Sequence, residues 1–124
     1  MDVDALDKEL TLAAAVARFE ELRLRDSLGE PDLTRAETLE LLALGEVIAR
    51  KTGYGRQLTV RNARVAGASW ADIGAALGTT RQSAWEAHQR WIDGQAAQRG
   101  RVGQIGFDAD EAAAARAQAG GPSS

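Results

Sequence analysis

The chain has 124 residues, which is enough for one ordinary domain with tails and too few for two. Hydrophobic residues make up 44% and charged residues 27%, as in an average globular protein, and the absence of cysteine excludes disulfides and thiolate metal sites. Recurrent alanine and only two prolines predict an all-α fold.

The net charge of −3 is distributed unevenly along the chain. Residues 1–49 carry −7, residues 50–101 carry +6 and residues 102–124 carry −2. A basic middle segment is typical of proteins that bind nucleic acid, although blocks of charge also serve solubility alone. The first ten residues are acidic where a signal peptide would be basic, and the longest apolar run, residues 12–17, is far below the roughly 20 residues of a membrane span. We therefore expect a cytoplasmic protein.

Two amphipathic helices are predicted in residues 1–52. Apolar positions at spacings of three and four predict a first helix over 3–28 that ends near Gly29. Thr34 and Glu37 have the spacing of a capping box, so a second helix should begin there, and it should end near Lys51. We expect this segment to support the core and to mediate dimerisation.

Three shorter helices are predicted next, over 58–66, 70–77 and 81–92. Ser69 and Thr80 are suited to cap the second and third, and Gly78 can take the left-handed conformation that ends the second. Gly74 is small where the third helix must cross closely. The apolar residues that these two helices can share in a core are Ile73, Leu77, Ala84, Ala87 and Trp91.

This pattern resembles the helix-turn-helix DNA-binding families, in particular the three-helix form of bacterial repressors, of region 4 of sigma factors and of small actinobacterial regulators. Gly74 stands where alanine is more common, and Thr79 where an apolar turn residue is usual. Thirteen arginines against two lysines agree with a G+C-rich, actinobacterial genome. The resemblance spans residues 58–92 and is carried by Ile73, Gly74, Leu77, Gly78, Thr80 and Ala84.

The resemblance implies a helix-turn-helix module over 56–102 that binds double-stranded DNA sequence-specifically, as a transcriptional regulator with helix 81–92 in the major groove. With Ala84 facing the core, a helical wheel turns a polar face outward. The base-contacting candidates are Arg81, Gln82, Glu86 and Gln89. The candidates for contacts to the DNA backbone are Arg61, Arg64, Ser69, Thr79, Thr80, Ser83, Arg90, Arg99 and Arg101. Alternatively, Glu86 and Arg90 form an ordinary surface ion pair.

Three other features have structural interpretations. We expect Trp85 and Ile92 to pack against an N-terminal helix or a second subunit, and His88 to be buried with a local hydrogen bond. Residues 103–124 contain almost no bulky apolar side chains, so we expect a disordered tail with transient helix around 111–117. Removing that tail should then leave folding intact.

Other functions have weaker support in the sequence. One histidine and no cysteine leave few ways to build a catalytic site, so we predict no enzyme, no metal site and no cofactor. A homodimer is expected because paired half-sites multiply the affinity of single helix-turn-helix units. Bound to DNA, the protein would associate with the nucleoid. The alternative is a sigma-like or adaptor protein whose acidic N-terminal helices bind a protein partner.

Overall fold

The computed structural model describes residues 1–99 and 106–124, and within these ranges the fold is all-helical, as predicted. The described residues divide into two compact units, Met1–Gly55 and Arg56–Ser124. Every helix in those ranges is too short or too polar to cross a bilayer. The helices are α1 (Val3–Glu9), α2 (Leu12–Leu28), α3 (Arg35–Gly53), α4 (Arg56–Val65), α5 (Trp70–Leu77), α6 (Arg81–Gln98) and α7 (Ala109–Ala119).

The first unit is a hairpin of α2 and α3 with α1 packed on α3. The residues buried between the hairpin helices are Ala15, Leu22, Leu44 and Val47. Two arginine–glutamate pairs also join α2 to α3: Arg18 to Glu40 and Arg25 to Glu37. The Arg25 guanidinium and the Thr34 cap lower the pKa of Glu37 to about 2, so this carboxylate is charged throughout the physiological range.

The predicted single helix over 3–28 is wrong, because the chain breaks at Leu10. Leu10 is extended, and Thr11 Oγ1 accepts a hydrogen bond from the backbone N–H of Ala14 and so begins α2. A straight helix over 3–28 would be about 39 Å long, against about 28 Å for α3. The break allows α1 to lie along α3, where Leu6 and Leu10 pack against the core.

The second unit contains α4 to α7. Its buried cluster includes Val60 from α4, Trp70 and Ile73 from α5, and Ala84 and Ile92 from α6. Helix α4 begins two residues before the predicted start at Leu58. Helix α6 runs six residues past its predicted end at Ile92, because Ala96 still has apolar neighbours in this cluster.

The expected disordered tail is wrong for residues 106–124. Asp108 and Glu111 form a capping box that begins α7, and Ala112, Ala115 and Ala119 are buried against the second unit's core. Small side chains at this spacing permit α7 to approach α6 closely. The large apolar side chains in this contact are the tryptophans of α5 and α6. The sequence prediction considered only the bulk of the tail itself. Residues 103–105 of the predicted tail lie outside the described ranges.

Trp85 and Ile92 pack against this C-terminal segment, and not against an N-terminal helix or a second subunit as expected. The Trp85 indole Nε1 donates to the carbonyl of Gly120 at 2.7 Å, and Ile92 is fully buried. The Trp70 indole Nε1 donates to the carbonyl of Ala119 at 2.8 Å. The Trp70 N–H is buried and would be costly to leave unpaired, so its bond to Ala119 fixes where the C-terminal segment docks.

Candidate nucleic-acid interface

The turn between α5 and α6 has the predicted caps and an unusually close backbone contact. Ser69 and Thr80 cap α5 and α6, and Gly78 is left-handed with φ of +70°, which confirms those three predictions. A Cβ on Gly74 would lie 2.9 Å from the carbonyl oxygen of Thr79. Glycine, and not the alanine more common in the resembling families, therefore fits this turn.

Helix α6 separates a buried face from an exposed polar one. Ala84, His88 and Ile92 are buried. The opposite side exposes Gln82, Ser83, Glu86 and Arg90, while Gln89 is half-buried. The burial predicted from the helical wheel is thus confirmed for Ala84 and His88.

The four base-contacting candidates differ in how free their side chains are. Arg81 is exposed in the first turn of α6. Gln82 Nε2 donates to Glu86 Oε1 at 2.9 Å, so Glu86 pairs with Gln82 and not with Arg90. The amide oxygen of Gln82 and the second carboxylate oxygen of Glu86 are further acceptors. Gln89 is half-buried, so its side chain is less accessible to a ligand than those of the other three candidates.

The candidates for contacts to the DNA backbone differ in exposure and in position along the module. Thr79, Thr80, Ser83 and Arg90 are exposed on the turn and on α6. The hydroxyl oxygens of Ser69 and Thr80 accept capping hydrogen bonds. Arg99 lies at the far end of α6, 18 residues from Arg81 or about 27 Å along the helix. Arg101 lies outside the described residues.

Arg61 and Arg64 belong to a different surface. The Arg61 guanidinium lies 5.9 Å from the centroid of the Trp91 ring and lines a cavity beside α7. Arg64 lies over Trp70 and donates to the carbonyl of Ala68 and to Ser124 Oγ. Sequence reasoning grouped both with the DNA backbone contacts because nothing in it indicated that the tail would cover this side of α4.

The N-termini of α5 and α6 differ in charge. Asp72 forms a capping box with Ser69, and the hydrogen bonds from Ser69 lower the pKa of the Asp72 carboxyl. A carboxylate therefore occupies the start of α5, where it repels other anions. The first turn of α6 contains no acidic residue and begins with Arg81. Of the two positive helix ends, the one at α6 is better suited to an anion.

A groove runs between the start of α4, the end of α5 and the flank of α6. Its volume is about 500 Å³, and the residues other than alanine that line it are Arg56, Gln57, Leu77, Thr79, Ser83 and Arg90. Sequence reasoning missed Arg56 because the helix was predicted to begin at Leu58. Helical spacing from buried Val60 back by four residues would have included it.

His88 is fully buried as predicted, but its hydrogen-bond partner lies on α4, 31 positions away in the sequence. Its Nδ1 donates to Gln57 Oε1 at 2.8 Å, and its ring stacks on Trp91 and tilts against Trp70. Burial, assisted by the charges of Arg61 and Arg64, lowers the pKa of His88 to about 4. The folded state therefore holds this imidazole neutral.

The burial of neutral His88 predicts that the second unit becomes less stable in acid. Between pH 6.5 and about 4 the unfolded chain binds a proton that folded His88 does not, so stability falls as pH falls. The slope should approach 1.4 kcal/mol per pH unit. Urea unfolding of the second unit measures it, with His88→Gln as the comparison. A slope between pH 5 and 6.5 that is equal in both proteins would show that His88 is not responsible, since it is the only histidine.

The exposed face of α6 and the adjoining groove offer amides, hydroxyls, a carboxylate and guanidinium groups. Groups of these types can form hydrogen bonds with base edges and with phosphates. Comparison of the chain with protein-family models, with curated proteins and with solved structures finds no match to any of them.

Proposed function

We propose that this protein binds double-stranded DNA sequence-specifically, with α6 in the major groove, and acts as a transcriptional regulator. The observation that carries the proposal is the exposed polar face of α6, formed by Gln82, Ser83, Glu86 and Arg90. Gly74 of α5 lies close to the backbone of the turn at Thr79 and Thr80 that leads into α6. A major groove admits one α-helix whose outward side chains reach base edges.

The chemistry of each side chain suggests its base. Arg81 can pair with guanine, Gln82 and Gln89 with adenine, and Glu86 with the amine of cytosine. The Gln82–Glu86 hydrogen bond orients both groups before DNA arrives, which lowers the entropy that binding costs. We expect these two residues to act together.

Selection from a random duplex pool tests this function. We expect Gln82→Ala and Glu86→Ala each to change the enriched sequence and to cost about 1–3 kcal/mol at the original site. Both side chains are exposed, so melting temperatures should stay constant. Glu20→Ala, an exposed glutamate on α2, is the charge-matched control. If both α6 variants enrich the wild-type sequence with wild-type affinity, Gln82 and Glu86 do not contact bases.

A second candidate function is protein binding through the first unit. Leu24, Leu28 and Leu42 are each more than 60% exposed, and Leu39 is 41% exposed. Exposed leucines on both hairpin helices favour a protein partner. A second copy of the chain is the partner that would also strengthen DNA binding, because a dimer can bind two half-sites. Sedimentation equilibrium distinguishes a homodimer from a monomer. A mass of two chains supports the homodimer, and a mass of one chain contradicts it.

A further inference from the structure

The groove beside α6 has two basic walls that come from different helices. Arg56 stands at the first position of α4, and Arg90 lies on α6 seven residues after Ser83. Both side chains are exposed. In the part of the chain that the structure describes, no ion pair or ring contact engages either guanidinium. Their positive charge is therefore available to a ligand.

The remaining lining of the groove combines hydroxyl groups with an apolar floor. Thr79 and Ser83 contribute hydroxyls, while Ala76, Leu77 and Ala87 contribute apolar surface. A strand of DNA backbone alternates charged phosphates with largely apolar deoxyriboses, and guanidinium and hydroxyl groups are common phosphate ligands. The groove therefore matches a sugar-phosphate strand in both charge and polarity.

We propose that this groove holds one sugar-phosphate strand of the DNA duplex, with Arg56 and Arg90 each bound to a phosphate and Leu77 against the sugar between them. The proposal rests on the proposed DNA-binding function and adds to it the start of α4 as a phosphate-binding element. It also moves the phosphate contacts away from Arg61, which lies against the Trp91 ring of α6, and from Arg64, which is hydrogen-bonded to Ser124. The carboxylate of Asp72 lies at the opposite end of α5 from this groove.

A salt series on a labelled duplex tests the proposal. We compare the full-length chain with Arg56→Gln, Arg90→Gln and the double variant, and Arg35→Gln, exposed on α3, is the charge-matched control. Each α4 or α6 variant should flatten the log–log salt slope by about 0.9, and the double variant by about twice that. Specific and random duplexes should weaken alike, because phosphates carry no sequence information. Arg35→Gln should leave the slope unchanged.

A second variant tests the groove without removing an arginine. Ser83→Asp puts a carboxylate into the groove at the first turn of α6, where acidic residues favour helix formation, so the fold should be retained. Duplex binding should weaken by tenfold or more at low salt, while the thermal melting curve stays at or above that of the wild type.

The outcomes separate this proposal from the function on which it rests. If the wild-type chain binds duplex and the double variant keeps its salt slope, the groove proposal is wrong and the DNA-binding function stands. If Arg35→Gln flattens the slope equally, net charge alone explains the effect and the groove is again excluded. A third outcome would overturn both the groove proposal and the DNA-binding function. In that outcome the chain does not bind duplex DNA, and Arg56 and Arg90 bind oligoglutamate.

Discussion

Deletion of residues 106–124 should lower the free energy of unfolding of the second unit by roughly 3 kcal/mol or more, on the scale of large core truncations. The deletion removes the three alanines buried on α7 and exposes the faces of Trp70 and Trp91 that the segment covers. For a unit of this size, the melting temperature should fall by about 12 °C or more. Thermal unfolding followed by tryptophan fluorescence measures the change.

Adjacent substitutions on α7 provide the control for this deletion. Ala112 is 2% exposed and Ala113 is exposed, and both lie in the first half of the helix. Ala112→Asp should therefore destabilise the second unit strongly, because it buries a carboxylate without a partner, and Ala113→Asp should have little effect. Equal melting temperatures for the deletion and the full chain would show that α7 does not dock.

Gly74→Ala should destabilise the second unit by about 1–3 kcal/mol, as overpacked sites do. The new methyl group would lie 2.9 Å from both the Thr79 oxygen and the Thr80 carbonyl carbon, which are backbone atoms and move only if the turn moves. Because that turn sets the position of α6, DNA affinity should fall as well. Denaturant unfolding and duplex binding at a temperature where the variant is folded measure the two effects.

Gly94→Ala is the matched control, because it makes the same chemical change at a helical glycine where the added carbon would meet nothing within 4 Å beyond its own stretch of helix. There alanine should stabilise α6 by about 0.5–1 kcal/mol, since glycine is the poorer helix former. The two substitutions should therefore have opposite signs. Destabilisation of similar size in both would contradict the close contact at Gly74.

The features of the fold that could be predicted from sequence are those that depend on local chemistry. The caps at Thr34, Ser69 and Thr80 and the left-handed Gly78 each involve residues within four positions of one another. The docking of α7 depends on contacts such as Trp70 to Ala119, which are 49 residues apart. An alanine-rich segment carries no periodic signal of its own, so its burial depends on a partner surface that sequence does not display.

In the candidate site, too, local features could be predicted from sequence and features that depend on distant contacts could not. The exposed side of α6 follows from helical geometry once Ala84 is placed in the core. Arg61 lies against Trp91 and lines a cavity beside α7, and Arg64 is hydrogen-bonded to Ser124, so both depend on contacts between distant residues. The placement of Arg56 follows from an earlier start of α4. Charge alone could not distinguish these arginines, since all three lie in the same basic segment.

The central claim, that this chain recognises duplex DNA, is tested most directly by the salt dependence of wild-type binding to a sequence enriched from a random duplex pool. We expect a steep linear loss of log affinity with log salt, together with binding about 1,000-fold or more tighter than to random duplex. Binding that does not distinguish the enriched sequence from random duplex, or no duplex binding at low salt, would contradict it.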